Sequence, residues 1–117
     1  MKLGCVQPGY LPWIPFFKRI QQSDIFVYLD DVEFSKNNFH NRNRIKTAKG
    51  ELMLTVPVFH KGHSHDFISK IKINNEQNWK KKHWKTIENN YHKALYFKYL
   101  CDPLKEIYSN DWEYLSD

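Results

Sequence analysis

Cysteine is scarce in this chain: its 117 residues hold only Cys5 and Cys101, far apart and in no metal-ligand spacing. Secreted domains of this size ordinarily carry more. Both cysteines therefore read as reduced, small buried hydrophobes in a cytoplasmic protein. Nothing basic lies near Cys5 to activate a thiolate. Glycine numbers four, and neither a Walker phosphate loop nor a dinucleotide glycine fingerprint occurs. No stretch reaches the roughly 18–20 apolar residues of a membrane helix. Residues 1–10 (MKLGCVQPGY) lack the apolar run of a signal peptide. Repeats, low-complexity tracts and linkers are absent, so residues 1–117 read as a single domain.

What is abundant is aromatic and basic. Aromatics make up 16% of the chain and hydrophobic residues 41%, enough for a core. The net charge is +5 and the pI about 9.2. Such a balance fits either an anionic partner or simple solubilisation by lysine.

Residues 3–6 form a short apolar run, the mark of a buried first strand. Pro8, Gly9 and Pro12 break it. Pro15 suits the first turn of a helix whose apolar positions are Ile14, Phe16, Phe17 and Ile20. Residues 25–29 (IFVYL) read as a second buried strand. Strand, loop, helix and strand within about 30 residues make a parallel βαβ unit. Residues 33–43 are polar and irregular. A hairpin is expected from strands 44–47 and 52–58, and a weak edge strand from 68–73. Asn74 with Gln77 resembles a capping box for a helix reaching about His92. Pro103 is expected to start a short helix at 104–108. The expected class is α/β: a small mixed sheet starting with the strand-loop-helix-strand unit, then a β-hairpin and a C-terminal helical part. Trp112, Tyr114 and Leu115 have no following element to pack on, so the chain reads as a fragment.

In open α/β sheets ligands gather at the carboxyl ends of the strands. Segment 7–13 (QPGYLPW) and the pair Asp30 and Asp31 both fall on that rim. Prolines stiffen the loop, Tyr10 and Trp13 can stack on a ring, and Gln7 can orient a ligand. Alone, the segment reads first as a structural turn. Adjacent carboxylates can serve acid/base work, although neighbours on a strand face opposite ways. Lys36, Asn41, Arg42 and Arg44 form a polar, basic cluster suited to phosphate.

His83 sits on the apolar face of the long helix with Trp79, Ile87 and Tyr91. Such histidines are commonly satisfied core groups, but this one is also a candidate general base. The run His60, His63, His65 and Asp66 could suit Zn²⁺ or Ni²⁺. It matches no structural zinc spacing, so no metal is assigned and metal binding by these histidines stays open. Lys80, Lys81 and Lys82 with Trp79 and Trp84 resemble a single-strand nucleic-acid surface. No nucleic-acid motif accompanies them, and no nucleic-acid partner is expected.

Several segments together resemble the WbqC-like family of bacterial proteins. They are Gln7-Pro8-x-Tyr10-x-Pro12-Trp13, Asp24-x-Phe26-Val27-x-Leu29-Asp30-Asp31-Val32, Asn41-Arg42-x-x-Ile45-Lys46 and Leu54-Thr55-Val56-Pro57-Val58. A later match runs Trp79-x-x-Lys82-His83-Trp84-x-x-Ile87 and Tyr91. Order and spacing agree along most of the chain, which corresponds to the N-terminal portion of longer members. The resemblance puts function at the QPGYLPW loop ahead of the turn reading. The three histidines at 60, 63 and 65 are outside the family pattern. The resemblance implies a cytoplasmic role in surface polysaccharide (O-antigen) synthesis. The activity it implies is a transferase for a nucleotide sugar or an acyl thioester; the alternative is a non-catalytic binding or assembly protein. It carries no catalytic residues and no cofactor with it. From the residues, the expected proton acceptors are Asp31 or His83. Gln7, Tyr10, Trp13, Asp30, Lys36, Asn41 and Arg42 are the expected substrate contacts.

Overall fold

A computed structural model describes residues 1–63 and 65–117. The α/β class and the order of the main elements match the expectation from sequence. Strands β1 (Leu3–Val6) and β2 (Ile25–Tyr28) are parallel, joined by helix α1 (Ile14–Gln21). Strands β3 (Arg42–Thr47) and β4 (Gly50–Thr55) form an antiparallel hairpin. Helices α2 (Trp79–Tyr91) and α3 (Phe97–Ser109) follow. Backbone hydrogen bonding groups the strands as two separate pairs, β1-β2 and β3-β4.

In the parallel pair Leu3 lies opposite Ile25, Gly4 opposite Phe26, Cys5 opposite Val27 and Val6 opposite Tyr28. The strand pleat sends Gly4, Phe26 and Tyr28 to one face. Phe16 of α1 covers that face, with ring centroids 6.0 Å from Phe26 and 5.9 Å from Tyr28. A Cβ at Gly4 would sit 2.1 Å from the Ser23 hydroxyl, so a larger residue there would force Ser23 to shift. The opposite face carries Leu3, Cys5, Ile25 and Val27, all exposed. Cys5 is thus on a bare sheet face rather than buried as its sequence context implied, and Cys101 is half-buried.

The main core lies between the hairpin and the two long helices. Leu54, Val56, Ile73, Trp79, Ile87 and Tyr108 are its buried members. A second cluster joins Phe34, Ile68 and Ile71. The repeat Trp79, His83, Ile87 places three buried side chains on one face of α2, as a spacing of four residues on a 3.6-residue helix requires. Tyr91, one turn on, accepts a hydrogen bond at its hydroxyl from the Lys46 backbone N–H at 3.0 Å.

Four local expectations are corrected. Residues 68–73 are not a strand: Ile68–Lys70 make one 3₁₀ turn, and only Lys72 and Ile73 form isolated bridges, to Tyr114 and Val58. The hydrophobic pattern is satisfied by burying Ile68 and Ile71, which a single tight turn also places inward. Asn74 does not cap α2. Its carboxamide accepts the Glu76 N–H in a turn before the helix, whose boundary residue is Asn78. Helix α3 begins at Phe97, with Pro103 inside it. Proline leaves the carbonyl four residues earlier, on Tyr99, without its helical partner. Both residues are exposed, so water can serve that carbonyl. The aromatic C-terminal segment also finds a partner within the chain. Ile73 N–H donates to Glu113 and Leu115 N–H to Ile71, which folds Trp112 and Leu115 onto the core.

Candidate functional site

Val6 and Tyr28 are paired at the ends of β1 and β2, and Leu29 N–H donates to the Val6 carbonyl. Segment 7–13 and Asp30 therefore leave the sheet at one rim, as parallel pairing dictates. From there they diverge. The loop turns inward and is strapped to segment 39–43. Tyr10 N–H reaches the carbonyls of Phe39 and His40 at 3.3 and 3.2 Å. The Asn43 carboxamide donates to the carbonyls of Tyr10 and Leu11 at 3.1 and 2.9 Å. Leu11 is held at φ 46°, a left-handed conformation that costs a branched residue about 1–2 kcal/mol. The strap and the packing of Leu11 on the core offset that cost.

The strap aims the Tyr10 ring at the core. Its hydroxyl lies 2.8 Å from Nδ1 of His83 and also contacts the Tyr108 hydroxyl of α3. Trp79 closes the group, its ring edge-on to His83 at 5.4 Å between centroids. Burial lowers the His83 pKa, opposed in part by the Thr55 backbone carbonyl. The ring is therefore neutral at pH 7. Nδ1 faces Tyr10, which leaves Nε2–H for the Thr55 carbonyl and makes Nδ1 an acceptor. Tyr10 then donates to His83 and accepts from Tyr108. Burial raises the Tyr10 pKa far above its ordinary value, and the neighbouring Tyr108 adds to the rise. Burial raises Tyr108 as well, offset in part by its hydrogen bond with Tyr10. Both phenols remain protonated.

Tyr10 and Tyr108 line an open cleft of about 760 Å³. Its other walls include Pro8, Phe16, Tyr28, Trp79, Leu104 and Trp112. Lysine and arginine are absent from the lining among the described residues, and Asp117 is its one carboxylate. His40 also borders it. The His40 Nε2–H donates to Gln7 Oε1 at 3.0 Å, and its Nδ1 accepts from the Ser35 N–H at 3.4 Å. Burial lowers the His40 pKa too.

Of the residues singled out in the sequence, the structure brings together Tyr10 and His83, and next to them Gln7 through His40. Asn41 is buried, and its side chain donates to the Val56 carbonyl. Arg42 donates to the Asn37 carbonyl through Nη2, while its Nε is buried without a hydrogen-bond partner among the described residues. Trp13 is 73% exposed at the start of α1 and is not among the cleft lining. Asp31 and Lys36 are exposed. Asp30 is half-buried, and its backbone carbonyl accepts from Ser69. None of these three borders the cleft.

No three metal-ligating side chains converge among the described residues. His63 pairs with Asp66 at 2.7 Å, His65 lies 3.7 Å from Glu33, and His60 Nδ1 faces the Val58 carbonyl. Ser64, within that loop, lies outside the described residues. Trp79 is buried and Trp84 stacks on Phe97, so the lysine-flanked tryptophans of α2 belong to the core rather than to a stacking surface. Among the described residues, no helix is long and apolar enough to cross a membrane.

Two participants escaped the sequence reading, Tyr108 and His40. Tyr108 is one more aromatic on an amphipathic helix, and His40 lies in a polar stretch without periodicity. Neither carries a local signal, since both are placed by long-range contacts.

The chain is similar to an uncharacterized protein of Mycobacterium tuberculosis, with 40% identity over 107 residues. The match covers 92% of this chain and 46% of the relative, so the chain spans about half the length of that protein. No solved structure matches. The family motifs fall on the strapped loop, the β2 rim, the hairpin and the inward face of α2. They match the WbqC-like protein family over residues 7–117, and the chain belongs to that family.

Proposed function

We propose that the chain forms part of a transferase, with the cleft between the 7–13 loop and α3 as its substrate site. The observation that carries this reading is the Tyr10 hydroxyl, 2.8 Å from a buried neutral His83 and bordering the cleft. A proton acceptor must be unprotonated at working pH and connected to the reacting group. His83 meets the first condition, and the Tyr108–Tyr10 pair supplies the connection.

In the transfer step, an acceptor hydroxyl or amine of the substrate gives its proton to Tyr108. Tyr108 passes its own to Tyr10, and Tyr10 passes its own to Nδ1 of His83. The acceptor's electron pair forms the new bond to the activated carbon of the donor, and the donor's leaving group departs with its bonding pair. The nearby Thr55 backbone carbonyl favours the imidazolium that forms. Asp31, exposed and away from the cleft lining, is the less favoured acceptor.

Aromatic walls suit the C–H face of a sugar ring or an acyl chain. The substrate we propose is an activated sugar or a carrier-bound acyl group, and its assignment to a cytoplasmic step of surface polysaccharide synthesis rests on the family resemblance alone. Gln7 fixes His40 at the cleft edge through the bond from Nε2–H to Oε1. The mutual bonding of Tyr10, Tyr108 and His83 favours a second reading, a non-catalytic binding protein of the same pathway.

Titration calorimetry of the chain with nucleotide sugars and with acyl thioesters tests the proposal. Binding of one class, weakened in Tyr10→Phe, is the expected result. Absence of binding by both classes overturns it. Binding without turnover selects the second reading, and turnover that persists in His83→Gln overturns His83 as the proton acceptor.

A further inference from the structure

A second concavity shares no lining residue with the aromatic cleft. It holds about 490 Å³ and is lined by Val58, Phe59, His60, Lys61, His63, Lys70 and Lys72. Three lysines and two histidines thus converge from two chain segments, and no carboxylate lines the space among the described residues. The tertiary fold sets this convergence. The Val58–Ile73 bridge and the Phe59 N–H bond to the Lys72 carbonyl bring segment 58–63 against segment 70–72.

The lining groups are oriented by neighbours outside the space. Lys72 is paired with Glu113 at 2.7 Å and lies over the Tyr114 ring at 5.3 Å. Asp66 takes Nδ1 of His63 at 2.7 Å, and the Val58 carbonyl takes Nδ1 of His60 at 3.4 Å. In both rings this leaves Nε2 uncommitted. Lys70 lies over the Phe67 ring at 5.9 Å. Phe59 is 47% exposed and adds an apolar wall.

We infer that this concavity is a phosphate-binding site, fitted to the phosphate or diphosphate of a small molecule. Charge-assisted hydrogen bonds to phosphate are the strong ones, and lysine serves phosphate as a mobile point charge. The aliphatic and aromatic walls keep the site from being an open lysine patch. The inference stands on this concavity alone and does not need the transfer reading of the aromatic cleft.

The probe is inorganic pyrophosphate, titrated into the ¹⁵N-labelled chain at fixed ionic strength. Amide shifts confined to residues 58–63 and 70–72 are expected, with saturation. Lys61→Gln/Lys70→Gln should weaken binding about tenfold or more, since hydrogen bonds to charged groups contribute about 1.5–3 kcal/mol. Lys61→Arg should retain it. Adenosine diphosphate in place of pyrophosphate distinguishes the source: tighter binding with a larger shift at Phe59 than pyrophosphate gives marks a nucleotide, and equal binding marks the diphosphate alone. Unchanged affinity in the double variant overturns the inference. So do shifts spread equally over Lys80, Lys81, Lys82 and Lys85, the mark of general screening by a basic protein. Absence of saturable binding overturns it as well.

Discussion

The Tyr10 hydroxyl hydrogen-bonds Nδ1 of His83 at 2.8 Å across a separation of 73 residues. This contact ties the 7–13 loop to the inward face of α2, and the Tyr108 contact ties both to α3. Removing the hydroxyl leaves Nδ1 of the buried His83 without its partner and frees the Tyr108 hydroxyl at the cleft. Tyr10→Phe should destabilise the chain by about 1–3 kcal/mol, the cost of unsatisfied buried groups. Urea unfolding measures it. A change below about 0.5 kcal/mol, the range of an ordinary surface substitution, would show that the contact is not maintained in solution.

Stability should depend on pH through His83 and His40. Both have pKa values lowered by burial from the ordinary 6.5. Below 6.5 the unfolded chain binds more protons at these sites than the folded one, so stability rises with pH there. Their contribution is fully present above about pH 6.5 and is lost as pH falls through the lowered values. Urea midpoints between pH 5 and 8 test the sign. The His83→Gln/His40→Gln variant should flatten this part of the profile. An unchanged slope in that variant would assign the dependence to other groups.

Asn43 should matter more to ligand binding than to folding. Its carboxamide holds two consecutive carbonyls of the loop, at Tyr10 and Leu11. Asn43→Ala loosens the loop while leaving the hairpin ladder in place. Its unfolding cost should be about 1–2 kcal/mol, with a larger proportional loss in affinity for any ligand that saturates the cleft. Equal affinity in the variant and the parent would mean that loop position does not shape the site.

Two isoleucines of similar appearance in the sequence should behave oppositely. Ile71 is 1% exposed, in the second core cluster. Ile25 is 48% exposed, on the bare face of the parallel pair. Ile71→Ala should cost about 2–5 kcal/mol, whereas Ile25→Thr should stay within about 0.5 kcal/mol. The same bare face should bind a hydrophobic dye, and Ile25→Thr with Leu3→Thr should reduce that fluorescence. Comparable costs at the two positions would contradict the placement of that face.

Local chemistry in the sequence was enough for several elements. The IFVYL run, the prolines after Val6 and the four-residue repeat Trp79, His83, Ile87 are periodic or steric signals that act within a few residues. They determined the parallel unit, the stiff loop and the apolar face of α2. They did not determine that residues 68–73 turn rather than extend, because burying Ile68 and Ile71 satisfies the same pattern. Nor did they decide that α3 runs through Pro103, which depends on the exposure of Tyr99. The candidate site divides in the same way. Tyr10 and His83 were legible separately, one as a loop aromatic and the other as a histidine on an apolar face. Their pairing, the addition of Tyr108 and His40, and the separation of both from Asp31 and Lys36 were decided only by tertiary packing. Hydrogen bonds and desolvation depend on distances across the fold, and residue spacing along a chain does not encode those distances.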